Sequence, residues 1–171
     1  MSTDLSPVIA AGTRWLLAAY PPAPGALSRA LGEAQARQAV TLACALRYPS
    51  ELDSRLLHLL GPGGSDRLDW LTGIGHDDLD GDGAWRTWVE ETVVSWAACL
   101  LADPALARRA HGAVTAAGSD PAGDVGRLAR PGEHELQAAP LLRHPDLLEP
   151  VAALHRSQLL EHLEGENTAV R

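Results

Sequence analysis

The sequence predicts an all-α protein, folded as a single-domain bundle of about six to eight helices. Apolar residues recur at three- and four-residue intervals, as they do along one face of a helix. Ser, Asp, Pro and Gly stand where these helices would begin and end. No segment alternates β-branched and polar residues, as a half-buried strand would. We expect the helical domain to span residues 1–165 and residues 166–171 to form a frayed tail.

Proline and glycine delimit the first two predicted helices. Ser6 precedes a proline and is expected to cap a helix that ends at Tyr20, where two more prolines follow. The second helix is predicted over residues 27–47, with an interruption at Gly32. Its segment 40–46 is apolar on every side, which is typical of a buried helix. We therefore expect this segment to lie at the centre of the bundle.

The third helix carries the most complete start signal in the chain. Ser50 and Asp53 have the spacing of a capping box, in which each side chain bonds the backbone N–H of the other residue. Glycine and proline from Gly61 onward end this helix. Ser65 then has the position of a cap for a short helical turn over residues 68–71.

The second half of the chain repeats the same punctuation. Residues 85–101 have the clearest helical periodicity and predict one continuous helix with a core-facing side. Asp103 and Asp120 each precede a proline and are expected to cap two further helices. A short helical piece is predicted over residues 133–143, and a final helix over residues 151–163.

Charge and composition exclude several classes of function. The formal net charge is −8, and all 14 basic residues are arginines without a long run. Clustered cations are what bind phosphate backbones, so we expect neither nucleic acid nor an anionic membrane as a partner. The chain is lysine-free, which excludes Schiff-base chemistry, a pyridoxal phosphate anchor and a P-loop lysine.

Cys44 and Cys99 are the only cysteines, and each lies in an apolar run. Neither belongs to a Cys-x-x-Cys pair, so we expect buried free thiols in a reducing, cytoplasmic environment. No apolar stretch reaches the roughly 18 residues that would predict a membrane span.

An aspartate-rich loop is the one segment that resembles a known site, the calcium loop of EF-hand and dockerin proteins. Asp78, Asp80 and Asp82 occupy loop positions one, three and five, and a glycine follows at position six. The glutamate expected at position twelve is replaced by Val89, and Glu90 stands one residue late. The alternative is that these aspartates form turns and cap the next helix. If an ion binds, these three aspartates are the predicted ligands, with Asp77 and Glu90 as weaker candidates.

Three tryptophans at helical spacing have two interpretations. Trp85, Trp88 and Trp96 could stack on a flat ligand in a pocket between helices. In a chain without phenylalanine, the same spacing is also typical of core packing, which we favour.

The predicted final helix is the first candidate for a contact with another protein. Its broad apolar face includes two histidines that are too far apart along the axis to share a metal ion. The alternative is that this face completes the core. The residues of the face are Leu154, His155, Leu159, His162 and Leu163.

Function follows from these patterns mainly by exclusion. No Gly-x-Ser-x-Gly elbow and no His-Glu-x-x-His motif occurs, although a triad assembled from distant residues stays open. We predict a helical protein–protein interaction module without chemistry of its own, such as an adaptor, an assembly chaperone or a regulatory subunit. The partner would be another protein or a second copy of the chain. The alternatives are a small-molecule-binding protein or cofactor-independent enzyme with a tryptophan-lined pocket, and a calcium-binding module. We expect no cofactor, and calcium is the one candidate.

Overall fold

The computed structural model describes residues 4–74, 83–118 and 125–169, with side chains up to residue 165. These residues form helices and no strand, which confirms the all-α prediction. The eleven α-helices of the described part include seven with eight or more residues, in line with the predicted six to eight. A 3₁₀ helix spans Gly83–Trp88. The α-helices in chain order are α1 Ser6–Ala19, α2 Ala26–Arg47, α3 Glu51–Leu60, α4 Asp66–Thr72, α5 Glu91–Ala102, α6 Pro104–Ala116, α7 Gly126–Ala129, α8 Glu133–Ala138, α9 Pro140–Arg143, α10 Pro145–Ala152 and α11 Arg156–Ala169.

Helix α2 is the centre of the bundle, as its apolar segment predicts. It packs against α1 and α5 most extensively, and also against α6, α7 and α8. Helix α5 also packs against α10, and α11 packs against both α5 and α6. The core is therefore built around the α2–α5 pair. Its largest fully enclosed side chains are Trp15, Leu16, Leu42, Leu46, Leu68, Leu100, Leu101, Leu128, Leu142, Leu148, Leu159 and Leu163. Within the described ranges, no helix has the length and apolar character to cross a membrane.

The predicted start signals are confirmed at α3 and α6. Ser50 and Asp53 form the full capping box at the start of α3. The Asp103 carboxylate accepts hydrogen bonds from two backbone N–H groups in the first turn of α6. The predicted cap at Ser6 is wrong, because the backbone N–H of Ser6 donates to the side chain of Asp4 instead. The helix predicted to begin at Asp120 starts outside the described residues.

Helix α2 is continuous through Gly32, so the predicted interruption is wrong. The glycine lets the turn after α1 come close: a Cβ at this position would lie only 2.8 Å from the Cβ of Pro22. The position is thus occupied by glycine because of packing, and the surrounding helix tolerates its low helical propensity.

The continuous helix predicted over residues 85–101 is two elements. The 3₁₀ helix ends at Trp88, Glu90 is extended, and α5 begins at Glu91. A 3₁₀ helix repeats every three residues, so its tryptophans imitate the spacing of an α-helix. The sequence periodicity therefore runs across the break without revealing it.

The final helix predicted over residues 151–163 is also divided. Residues 151 and 152 end α10, a turn follows, and α11 begins at Arg156. The Ser95 hydroxyl of α5 accepts from the His155 N–H at 3.0 Å and donates to the Ala152 carbonyl at 3.2 Å. The Cys99 thiol donates to the same carbonyl. In a continuous helix, the Ala152 carbonyl and the His155 N–H would bond to other backbone groups of the same helix. Here they bond to side chains of α5 instead.

A buried carboxylate joins α1, α4 and the 3₁₀ helix. Asp69 of α4 accepts a hydrogen bond at 2.9 Å from the Trp15 indole of α1, and it forms an ion pair with Arg86 of the 3₁₀ helix. The Ser65 hydroxyl donates to Asp69 as well, although Ser65 makes no side-chain cap of the α4 backbone. Because Asp69 is almost fully buried, this pair is only weakly screened by solvent.

We predict that Asp69→Ala lowers the free energy of unfolding by about 3–5 kcal/mol, because the substitution leaves the Arg86 charge without its buried partner. The double variant Asp69→Ala/Arg86→Ala should lower the free energy of unfolding by less than the sum of Asp69→Ala and Arg86→Ala. Urea unfolding of all four proteins measures this coupling. Glu33→Ala removes an exposed ion pair with Arg37 and should change stability by less than about 1 kcal/mol. Additive losses at Asp69 and Arg86 would contradict the prediction.

Two helical glycines give opposite predictions for the same substitution. Gly32→Ala should lower the free energy of unfolding by about 1–3 kcal/mol, because the new Cβ meets the Pro22 ring. Gly112→Ala in α6 should raise it by about 0.5–1 kcal/mol, because nothing lies within 4 Å of the new Cβ and alanine favours the helix. Urea unfolding measures both changes. Equal effects at the two positions would contradict the close approach at Gly32.

Candidate functional site

A cleft of about 260 Å³ opens between the end of α2, helix α3 and the residue before α5. Its volume is near the lower end of ordinary ligand pockets. Polar side chains form one part of its lining and leucines the other. The lining residues are Arg47, Tyr48, Asp53, Leu56, Leu57, Leu60, Gly61, Gly63 and Glu90.

The polar part of the cleft is organised around Glu90. The Tyr48 hydroxyl donates a hydrogen bond of 2.9 Å to Glu90 Oε2, and Arg47 Nε lies 3.7 Å from the same oxygen. The guanidinium of Arg47 also lies 5.3 Å from the centre of the Tyr48 ring. Burial, together with the neighbouring Glu90, raises the pKa of Tyr48 well above its usual value. The phenol therefore remains a hydrogen-bond donor over the whole neutral range.

Glycines form the wall that connects α3 to α4. Gly61 ends α3 with a φ of 74°, in the left-handed region that favours glycine. Two residues later, a Cβ on Gly63 would lie 2.8 Å from the backbone oxygen of Val89. The connection can therefore lie directly against the chain that leads into Glu90. This contact holds the two sides of the cleft together.

Helix α3 has an apolar face that no described part of the chain covers. Leu52, Leu56, Leu59 and Leu60 each expose between 44% and 85% of their surface. At about 100° per residue they occupy one side of the helix, which we call the leucine face. Leu57, about 60° around the helix from Leu60, is buried, and so is Ser54 on the far side. Leu56 and Leu60 also line the cleft, so the leucine face and the cleft form one continuous surface.

The three tryptophan candidates lie in different surroundings. Trp88 makes an edge-on ring contact with His58 of α3 at 6.3 Å, and the guanidinium of Arg86 lies over the Trp85 ring. Trp96 is buried in α5, where its indole N–H donates to the backbone oxygen of His155. None of the three lines the cleft beside α3. The tryptophan-lined pocket stays a prediction.

The candidate contact face near the C-terminus contributes to the core. Leu159 and Leu163 are buried, and Leu154 and His155 lie in the turn before α11 rather than on it. The contact face predicted on one helix is therefore divided between a turn and a helix. The ring of His162 packs 5.7 Å from that of Trp96.

His155 anchors this turn to the beginning of α5. Its Nε2 lies 2.7 Å from Glu91 Oε1, and Arg67 of α4 lies 3.4 Å from the same oxygen. Together with the backbone contacts to Ser95 and Trp96, this ring fixes the position of the turn. The geometry gives His155 a structural role.

The calcium-loop candidates Asp77, Asp78, Asp80 and Asp82 lie outside the described residues, so calcium binding stays a prediction. The weaker candidate, Glu90, is extended and bonded to Tyr48. In the part of the chain that the structure describes, no three His, Cys, Asp or Glu side chains are grouped as metal ligands would be.

The leucine face was not among the sites predicted from the sequence, although the sequence contains a signal for it. Five of the ten residues of α3 are leucines, and they spread over about 160° of the helix surface. A helix that packs on one side needs only one apolar stripe. The additional leucines therefore indicate a second contact, and this signal can be recognised from the sequence alone.

Comparison of the chain with protein-family models, with curated proteins and with solved structures finds no match.

We predict that alkaline pH destabilises the protein through buried thiols and phenols. Burial raises the pKa of Cys44 and Cys99 above an ordinary value of 9.0, and it raises the pKa of Tyr20 to about 12 and that of Tyr48 further still. These groups ionise in the unfolded chain first, so stability is complete below about pH 9 and declines above it. The lack of lysine removes the other side chain that would titrate there.

Urea unfolding at pH 7, 9 and 10.5 with Cys44→Ala measures this effect. Above pH 9 the wild-type slope should exceed that of the variant by up to about 1.4 kcal/mol per pH unit, since one thiol no longer titrates. Tyr48→Phe should reduce the slope only above about pH 10. Parallel pH profiles of wild type and Cys44→Ala would contradict the assignment.

Proposed function

We propose that this chain is a protein–protein interaction module that binds a segment of another protein on the leucine face of α3. The single observation that carries this proposal is four exposed leucines on one side of one helix. Removing a leucine side chain from water contributes about 1.5–3 kcal/mol when burial is complete. A partner that covers this face gains several such contributions from a small area.

The other exposed apolar residues support the choice of this face by contrast. Leu27, Leu136, Leu141 and Leu147 are exposed on four different helices. Exposed single leucines are common on soluble proteins, whereas a contiguous apolar face marks a contact site. The next helix, α4, adds the largely exposed Trp70, a residue type that is enriched in interfaces.

The geometry of α3 suits a preformed binding surface. Its start is fixed by the Ser50–Asp53 capping box, and its end by Gly61. Leu57 anchors the inner side of the helix in the core. A surface that is ordered before binding loses little conformational entropy when a partner arrives. An adaptor, assembly chaperone or regulatory subunit would use such a surface.

We expect Leu59→Arg/Leu60→Arg to abolish partner binding without unfolding the protein, because both side chains are exposed and arginine has a helical propensity close to that of leucine. The control is Leu27→Arg, which places one arginine on a largely exposed leucine of α2. Affinity purification from the native cell should recover a stoichiometric protein with wild type and with the control, and not with the α3 variant.

Sedimentation velocity of the three purified proteins distinguishes a second copy of the chain from a different partner. A wild-type dimer that the α3 variant alone converts to a monomer would identify self-association through the leucine face. A partner retained equally by all three proteins, with no change in oligomeric state, would contradict the proposal.

A further inference from the structure

We infer that the segment bound on the leucine face carries a basic side chain, which enters the adjoining cleft and pairs with Glu90. This inference rests on the proposed function and names the chemical class of the partner: an amphipathic segment with leucine-like residues and an arginine or lysine beside them. It does not follow from the leucine face alone. The charges and the free oxygens of the cleft carry it.

Glu90 keeps one carboxylate oxygen available. Its contacts with Tyr48 and Arg47 both use Oε2, and no described donor bonds Oε1. The Arg47 contact of 3.7 Å is longer than a hydrogen bond, and 45% of that side chain is exposed. Only 16% of the Glu90 side chain is exposed, so a cation that reaches it is partly shielded from water. A second, closer donor would therefore add an interaction that Arg47 does not supply.

Asp53 adds a second carboxylate to the same cleft. Its capping contacts with Ser50, at 2.5 and 3.2 Å, both use Oδ2 and leave Oδ1 to other donors. With Arg47 as the single cation, the three charged lining residues sum to −1. The cleft therefore favours a cationic group over an anionic one.

The dimensions of the cleft fit one long basic side chain. Its 260 Å³ correspond to roughly nine water volumes at about 30 Å³ each. Leu56, Leu57 and Leu60 would pack against the aliphatic stem of an arginine or lysine, while the charged end meets the carboxylates. A bound segment that lies along the leucine face passes the opening, because Leu56 and Leu60 belong to both surfaces.

Long-range electrostatics favours the same class of partner. The chain carries a formal charge of −8, which attracts a basic segment and repels an acidic one during approach. A second copy of this chain has the same negative charge and meets the same repulsion. The segment that binds the leucine face is therefore a basic amphipathic segment of another protein.

The test is a selection from a random library of helix-length peptides on the full chain, with peptides that also bind Leu59→Arg/Leu60→Arg removed. Selected peptides should combine leucine-like residues with arginine or lysine. Their affinity is then measured by fluorescence anisotropy. Replacing the basic residue of the peptide by glutamine should weaken binding to the wild-type chain about tenfold, which corresponds to the loss of one charge-assisted hydrogen bond.

Glu90→Gln should also weaken the selected peptide about tenfold, while the side-chain amide oxygen of the glutamine can take the place of Glu90 Oε2 and accept the Tyr48 hydrogen bond. Glu33→Gln is the matched control, since that carboxylate pairs with Arg37 outside the cleft and should leave the affinity unchanged. Binding should weaken with added salt for the wild type and much less for Glu90→Gln. The glutamine peptide tests the same contact on the unaltered protein.

The possible outcomes separate this inference from the proposed function. Selected peptides that lack basic residues, or that bind Glu90→Gln as tightly as wild type, overturn the inference and leave the leucine face as a binding surface. Selected peptides with acidic residues identify Arg47 as the contact and also overturn it. A library that yields no peptide dependent on the leucine face overturns both.

Discussion

The buried carboxylate of Asp69 is the constraint from which the rest of the site follows. It holds α4 against Trp15 of α1 and draws Arg86, with the 3₁₀ helix, onto the same point. The chain leaves that 3₁₀ helix directly into Val89 and Glu90, so the ion pair also determines where the cleft carboxylate lies. Gly63, just before α4, rests against Val89 from the other side. A single buried charge thus orients both walls of the cleft.

This arrangement leaves α3 outside the main core. The helix begins at the capping box and ends at Gly61, and Gly63 just after it lies against Val89. Between these ends only one leucine and one serine are buried. The stability of the bundle depends on the α2–α5 pair and its neighbours, and the outer side of α3 adds nothing to it. Four leucines that do not stabilise the free protein therefore require another explanation, and binding supplies one.

Local structure could be predicted from the sequence. Breaks in a helix that are caused by residues far away in the chain could not. The capping box at Ser50 is visible in sequence because every atom of it lies within four residues. The turn before Arg156 is invisible, because the groups that interrupt the helix there belong to Ser95 and Cys99, more than fifty residues away. The leucine face stands between these cases. Its excess of leucine is a local signal, but which leucine is buried depends on how α3 meets the rest of the chain.

The leucines of α3 divide between the fold and the proposed contact. Leu57 is buried in the core, whereas Leu59 and Leu60 are largely exposed to solvent. The same division appears in the carboxylates: Asp69 bonds through both oxygens inside the protein, whereas the described contacts of Glu90, which lines the cleft, use one oxygen. A residue whose interactions are complete stabilises the fold, and one whose interactions are half complete gains free energy only when a partner arrives. Glu90 and the leucine face both have interactions that are only partly formed in the free protein, and both contribute to the lining of the same cleft.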